Sequence, residues 1–505
     1  MIAVSRLDEV ERFRSLVACR LGLQFEDAKL SFLAEVLRRR LETSGRISET
    51  YLARLEADTS REELGVLAQE LTVPETYFFR NIDQFRAFSE IVVPERVHAQ
   101  AAQRRLRILS AGCASGEEAY TIAIVLREIA LDPSWKVSIQ GVDMNRAMLE
   151  KAARAHFSDW ALRGAPAEIQ HKWFRRNGSD FVLVDAIRSS VQFAVGNLAE
   201  DDTNLWQPDT YDVVFCRNVI MYFTPQNAQT LVTRIARSLA PGGYLFLGHA
   251  ETLRGLSKDF HLHHTHGTFY YQRKEGDKFA APRSTADNMQ SDAFVPTLPA
   301  VIEGADTWVD TIKKAAERIQ VLTQAPAVPV PAAATLSPRW DLGLALDLLR
   351  NERFTEALDL VRALPSESAR DPDALLLLAV LLTHSGQLSS AEEVCRRLLG
   401  VDELNAGAHY LLALCCESVG DRRGAADHDQ AAVYLDAAFA MARLHLGLLA
   451  RRAGDHETAR RELGQALVLL QREDASRLLL FGGGFSRETL LTLCRAELHA
   501  CGDPA

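Results

Sequence analysis

The stretch LSAGCASGEEAYT, Leu109 to Thr121, decides how the first half of this chain is read. Apolar residues Leu106, Ile108 and Leu109 run into a small-residue turn, Gly112 to Gly116, and a helical pattern follows from Glu117 to Ile129. A glycine-rich strand–turn–helix ordinarily receives a phosphate, because its backbone N–H groups and the helix dipole favour an anion. This helix opens with Glu117 and Glu118, and the turn has no lysine. Two carboxylates repel a pyrophosphate, so the turn asks for a different ligand.

Working outward, apolar runs alternate with helical segments from about 105 to 275. The runs are LRILSA, KVSIQGVD, YDVVFCRN and GYLFLGHA, the pattern of a parallel sheet with crossover helices. Such a sheet binds its ligand at the carboxyl ends of its strands. The second run ends at Asp143, and an acid there suits ribose hydroxyls. A ligand with ribose, no phosphate and positive charge fits, and S-adenosyl-L-methionine has adenosine, a sulfonium and an ammonium group. Two local alternatives stay open. Ser115 and Glu118 also have the spacing of a capping box, and Asp143 is also a plausible N-cap type.

The 505 residues call for several domains. Charged residues at 25% and hydrophobic ones at 47% are ordinary for a soluble globular chain. A net charge of −10 argues against a general nucleic-acid binder. No apolar run approaches the roughly 20 residues of a membrane span. The eight cysteines are scattered without a CxxC pair, which reads as a reduced, cytoplasmic protein.

Residues 1–90 alternate charged and apolar positions at helical spacing, as in FLAEVLRRRLETSG, and are expected to form a helical domain. Residues 91–275 are expected to form the α/β domain, with a small antiparallel insertion at about 160–196. Residues 276–337, ending in TQAPAVPVPAAATLSP, read as a Pro/Ala-rich linker. The remainder repeats. Ala357, Ala391, Ala425 and Ala459 recur every 34 residues, as do Gly386, Gly420 and Gly454, and Ala345, Ala379, Ala413 and Gly447. That is the tetratricopeptide period, so four repeats are expected over 338–473 and a capping helix, ETLLTLCRAELHA, within 474–505.

Five stretches together carry a family resemblance: LTVPETYFFRN, AGCASGEEAYTIAIVL, GVDMNRAMLEKA, YDVVFCRNVIMYF and PGGYLFLGHAETL. Across about 5–275 the chain resembles the CheR-type chemoreceptor glutamate O-methyltransferases. The resemblance implies a helical N-terminal domain and a Rossmann-like class I methyltransferase domain with an inserted antiparallel β-subdomain. It implies S-adenosyl-L-methionine as cofactor, S-adenosyl-L-homocysteine as product, and glutamyl side chains on the cytoplasmic part of a chemoreceptor as substrate. It further implies that Thr76 and Arg80 close over the cofactor, and that Glu118, Asp143, Asn197, Leu198, Arg217 and Asn218 contact it. Tyr222 would face the reaction centre. Arg38, Arg39 and Arg40 would contact the receptor, although an arginine run on a helix also reads as a solvated face. Family members commonly carry Asn at the position of Pro74. The short turn at Asn177–Asp180 matches no peptide-gripping loop, which leaves the repeats as the expected protein-binding arm.

The attacking glutamate is already ionised at neutral pH, with a free pKa of about 4.3, so in-line methyl transfer to it requires no general base. Positioning and exclusion of water carry the catalysis, with Arg80 and Tyr222 the candidate catalytic residues. An inactive cofactor-sensing scaffold of the same fold is the alternative. The four histidines of DFHLHHTHGTFYY invite a metal, but no cysteine or carboxylate completes a ligand set, and none is expected.

Overall fold

A computed structural model describes residues 7–57, 61–72, 75–275, 348–349, 353–362 and 371–502. The chain forms two compact units, residues 1–279 and 280–505. The expected linker, most of the first repeat and Pro74 lie outside the described residues.

The first unit opens with four helices, α1 (Leu7–Leu21), α2 (Leu30–Ser44), α3 (Ser48–Glu56) and α4 (Arg61–Leu71). Their apolar faces recur at helical spacing and meet in a core that includes Phe13, Val17, Leu33, Leu37, Tyr51 and Leu67. The next helical stretch does not stop at the expected boundary of residue 90. α5 (Ile82–Ala87) continues through a π-helical turn (Phe88–Val92) into α6 (Val93–Ala99). Pro94 sits in the first turn of α6, where its missing N–H costs little. Phe85 stacks on Phe215, and Phe88 packs edge-on against Phe215 and Phe246, so this stretch belongs to the sheet's core.

Seven strands form that sheet: β1 (Arg105–Ala111), β2 (Lys136–Asp143), β6 (Val191–Val195), β7 (Tyr211–Cys216), β8 (Leu239–Leu247), β9 (Phe260–Thr265) and β10 (Thr268–Arg273). Their order is β6-β2-β1-β7-β8-β10-β9. The first five are parallel, and the β9–β10 hairpin closes one edge antiparallel to β8. From β1 the chain winds one way through β2 and the other through β7. The switch point therefore lies at the carboxyl ends of β1 and β7, beside α7 (Glu117–Ile129).

A second, three-stranded antiparallel sheet has the order β3-β5-β4, from β3 (His156–Ser158), β4 (Phe174–Asn177) and β5 (Asp180–Leu183). The insertion thus begins before the expected residue 160 and ends before 196. Val191–Val195 instead pairs in parallel with β2, Ile139 opposite Val191, as the edge of the main sheet.

Among the described residues of the second unit, three complete helical hairpins follow the 34-residue period: Pro372–His384 with Leu388–Val401, Ala406–Ser418 with Arg422–Leu435, and Ala440–Arg452 with His456–Leu470. Gly386, Gly420 and Gly454 hold the inter-helix turns at φ of +70°, +84° and +80°. The period also sets the small residues. Ala391, Ala425 and Ala459 are fully buried, and a Cβ added to Gly447 would stand 2.7 Å from Leu463. Helix Arg487–Ala500 caps the last hairpin, and a short helix the repeat pattern does not foretell, Ala475–Phe481, precedes it. Among the described residues no helix is long and apolar enough to cross a membrane.

Candidate active-site cleft

The quoted turn forms one wall of a cleft of about 950 Å³ in the first unit. Gly112 and Cys113 both donate their N–H to the Val142 carbonyl, at 2.7 and 3.1 Å, which locks the end of β1 to β2. Asp143 then bridges the two strand ends. Its carboxylate accepts the N–H of Ala114 at 2.8 Å and that of Asn145 at 2.8 Å. Burial raises the Asp143 pKa, against the pull of those backbone donors. Asp143 is not the cap of the following helix; Asn145 holds that position and accepts from Met148 N–H.

The capping box is also absent. Gly116, at φ +90°, occupies the N-cap position without a side chain to cap with, which puts Ser115 outside the helix. The Ser115 hydroxyl turns to Glu117, at 2.8 Å, and Glu117 is buried away from the cleft. Glu118 is thereby released to the cleft wall. It accepts from the Ser110 hydroxyl at 2.7 Å and from Arg217 Nη1 at 3.3 Å. Burial raises its pKa while Arg217 pulls it down. At the strand ends the negative charge facing the cleft therefore comes from Glu118 and Asp143 rather than from both helix-start glutamates.

Two loops complete the opposite side. In YFFRN, Phe78 is pinned edge-on between Phe157 and Phe174, while Phe79 packs on Phe85 and donates its N–H to Thr121 Oγ1 at 3.2 Å. Phe79 and Asn81 are both left-handed, at φ +57° and +59°, a conformation that costs a non-glycine residue about 1–2 kcal/mol. That strained turn presents Arg80, whose guanidinium donates to the Glu75 carbonyl at 2.7 Å and whose own carbonyl accepts from Arg217 Nη2 at 2.5 Å. Thr76 lines the cleft beside it.

The loop after β7 is shaped by Glu251, a buried residue to which the sequence analysis assigned no role. Its carboxylate accepts the N–H groups of Asn218 (2.6 Å), Val219 (2.9 Å), Met221 (3.1 Å) and Gly248 (2.8 Å). Asn218 is held left-handed at φ +58°, and Tyr222 is left 43% exposed on the cleft lining. The N-terminal helices dock onto this loop. Gln24 N–H donates to the Tyr222 carbonyl at 2.7 Å, and on the loop after β6 Asn197 Nδ2 donates to the Arg20 carbonyl at 3.0 Å. Leu198 is buried beside Asn197, and both line the cleft. Phe25, Lys29 and Phe32, which the sequence analysis did not single out, also line it. Their presence follows from that docking, a long-range contact with no local sequence signal.

The structure thus gathers Thr76, Arg80, Glu118, Asp143, Asn197, Leu198, Arg217, Asn218 and Tyr222 around one cleft. The arginines of α2 do not line it, although Arg39 and Arg40 bond Glu70, which does. Arg38 pairs with Glu42 at 2.8 Å and Arg39 with Glu70 at 3.0 Å. Arg40 is turned inward: it forms a bidentate pair with Glu63 at 2.8 Å, with Tyr51 bonded to the same carboxylate. Of the three, Arg38 and Arg39 are the ones that reach solvent on this face. Among the described residues no three His, Cys, Asp or Glu side chains cluster to hold a metal ion.

Comparison with known proteins agrees with this architecture. Residues 74–269 match the CheR methyltransferase, SAM binding domain, and residues 348–415 match a tetratricopeptide repeat. The chemotaxis protein methyltransferase 2 of Vibrio cholerae is 34% identical over 275 residues, 52% of this chain and 93% of that protein. The probable biofilm formation methyltransferase WspC of Pseudomonas putida is 28% identical over 452 residues, 89% of this chain and 96% of that protein. A solved structure of MamA protein aligns with 32% of this chain and 88% of its own, at 19% identity and a TM-score of 0.23. The chain belongs to the CheR methyltransferase family, with a C-terminal tetratricopeptide region. S-adenosyl-L-methionine is its cofactor. The cleft suits such a ligand: Glu118 and Asp143 are among the carboxylates that line it, its glycine turn has no lysine, and Ala114, left-handed at φ +45°, turns a small side chain at the strand end.

Proposed function

We propose that this chain methylates glutamyl side chains on the cytoplasmic domain of a chemoreceptor-like signalling protein, forming γ-methyl esters. The observation that carries the reading is the charge layout of the cleft, with Asp143 and Glu118 at the strand ends and Arg80 and Tyr222 on the bordering loops. When bound, S-adenosyl-L-methionine supplies a methyl group activated for in-line displacement. Asp143 accepts hydrogen bonds from the ribose hydroxyls, and Glu118 matches positive charge on the ligand. Arg217 spends its own charge on Glu118 and on the Arg80 carbonyl, so it fixes both residues. Asn197, Leu198, Asn218 and Thr76 supply the surrounding contacts.

Arg80 orients the incoming carboxylate, and Tyr222 packs or donates beside the reacting centre. A glutamate ionised at neutral pH needs no base, so these residues hold and aim it rather than move a proton. Arg38 and Arg39 meet acidic receptor surface, and the repeats serve as a protein-binding arm. Incubation with methyl-tritiated S-adenosyl-L-methionine and a receptor cytoplasmic fragment tests the reading. Base-labile label released as methanol supports a glutamyl ester. Base-stable label, or none from folded enzyme with bound cofactor, rejects it, and the second outcome favours the scaffold.

A further inference from the structure

Tetratricopeptide hairpins stack into a curved array whose inner face takes a partner. In this chain the first helices of three successive hairpins already carry an occupant, the chain's own ASRLLLF, Ala475–Phe481. His384 Nε2 lies 3.3 Å from the Leu480 carbonyl, and the Tyr410 hydroxyl donates to the Phe481 carbonyl at 3.2 Å. The Phe481 ring packs against Tyr410 and Phe439, with centroids 5.9 and 5.0 Å apart. The absent side chain of Gly407 makes the space: a Cβ there would stand 2.9 Å from Phe481 Cζ. Arg477 adds ion pairs to Asp436 at 3.1 Å and Glu473 at 3.4 Å, and lies over the Phe439 ring.

The occupant is lightly held. Phe481 is 7% exposed, but Leu478, Leu479 and Leu480 are only partly buried. A seven-residue helix does not persist on its own. Gly482, Gly483 and Gly484 follow it, the latter two at φ +64° and +81°, and glycine can leave such a conformation at little steric cost. Beyond them, helix Arg487–Ala500 is anchored separately through buried Leu490 and Cys494. Release of Ala475–Phe481 therefore leaves the cap in place.

We propose that Ala475–Phe481 is a built-in occupant of the groove through which the repeats take their partner. The partner presents a short apolar helix whose aromatic side chain replaces Phe481 and whose carbonyls meet His384 and Tyr410. The proposal rests on the repeats being a protein-binding arm. The full chain and its Arg477→Asp variant, which sets a third negative charge beside Asp436 and Glu473 without opening a cavity, are titrated with a fluorescein-labelled peptide of residues 474–486. Phe481→Ala is measured alongside, and if it fails to fold Arg477→Asp carries the test.

Arg477→Asp should bind the peptide at least tenfold more tightly than the unaltered chain, and a peptide with Phe481→Ala should not bind. Hydrogen exchange should quicken at 475–485 while Ala406–Ser418 stays protected. Equal affinity of both chains, or no binding by an Arg477→Asp chain with intact repeats, overturns the proposal. The arm reading fails separately, if deleting 338–505 leaves receptor engagement unchanged while the peptide still binds Arg477→Asp.

Discussion

Glu251 accepts four backbone N–H groups with one carboxylate, and so holds Asn218 in a conformation it would not otherwise keep. Glu251→Gln replaces one acceptor oxygen by a donor that faces those same N–H groups. Charge-assisted bonds are each worth about 1.5–3 kcal/mol, so S-adenosyl-L-methionine affinity should fall about tenfold or more by calorimetry, with a lower melting temperature. Unchanged affinity would show that the loop holds its shape without it. Arg80→Ala should lower methyl transfer roughly 100-fold, the scale of a lost positioning contact, while unfolding stays cooperative. Turnover equal to the unaltered chain would remove Arg80 from the site. Asp143 and Glu118 could be found in the sequence because each stands beside a strand end that an apolar run announces. Glu251 could not, since the backbone N–H groups it serves come together only when the loop after β7 folds back on the end of β8. The capping-box reading of Ser115 and Glu118 failed for a related reason: spacing alone does not say that Gly116 takes the cap position.

At the scale of elements, left-handed residues cluster where the loops meet the cleft: Phe79, Asn81, Ala114 and Asn218. Such strain persists only when the surroundings over-determine it, and here buried phenylalanines and the Asp143 and Glu251 carboxylates do so. Gly112 is the tightest point. It sits at φ +77°, and a Cβ would come 2.5 Å from Val219 Cγ2, on the loop that Glu251 holds. Gly112→Ala should therefore displace that loop and reduce cofactor affinity more than it reduces stability, compared by calorimetry and thermal melting. A purely global loss of stability would contradict this. The four apolar runs and the 34-residue period were legible because burial imposes a repeat on sequence. The edge strand Val191–Val195 falls within the expected insertion, since a five-residue run beside a hairpin does not reveal which sheet it joins. The boundary expected at residue 90 falls inside a continuous helical stretch, whose π-helical turn carries no breaking residue.

At the scale of the whole molecule, the two units raise separate questions, one of chemistry and one of recognition. The repeats contain a buried charge cluster in which His445 lies 2.7 Å from Asp429 and 3.2 Å from Glu417, and Arg452 bonds Glu417. Burial alone would lower the His445 pKa, but the two carboxylates outweigh it and push it up to about 9. A histidine pKa raised on folding contributes stability that is complete below its unfolded value of about 6.5 and is lost as pH rises through about 9. Protection of helices Ala406–Ser418 and Ala440–Arg452 from hydrogen exchange, corrected for intrinsic rates, should fall across that window. His445→Gln should cost about 3–5 kcal/mol, because it strands Asp429 without its counter-charge, and should flatten the pH response. A response that survives His445→Gln would assign it elsewhere.

The first unit carries the central claim, that the glycine turn at Gly112–Gly116, with Glu118 and Asp143 beside it, is where the cofactor binds. Calorimetric titration of the full chain with S-adenosyl-L-methionine, and then S-adenosyl-L-homocysteine, against the Asp143→Ala variant tests it most directly. The account predicts saturable binding by the unaltered chain and a loss of at least tenfold in the folded variant. Equal affinity in the two chains, or no binding by the folded unaltered chain, would contradict it and leave Asp143 as a clamp between two strand ends.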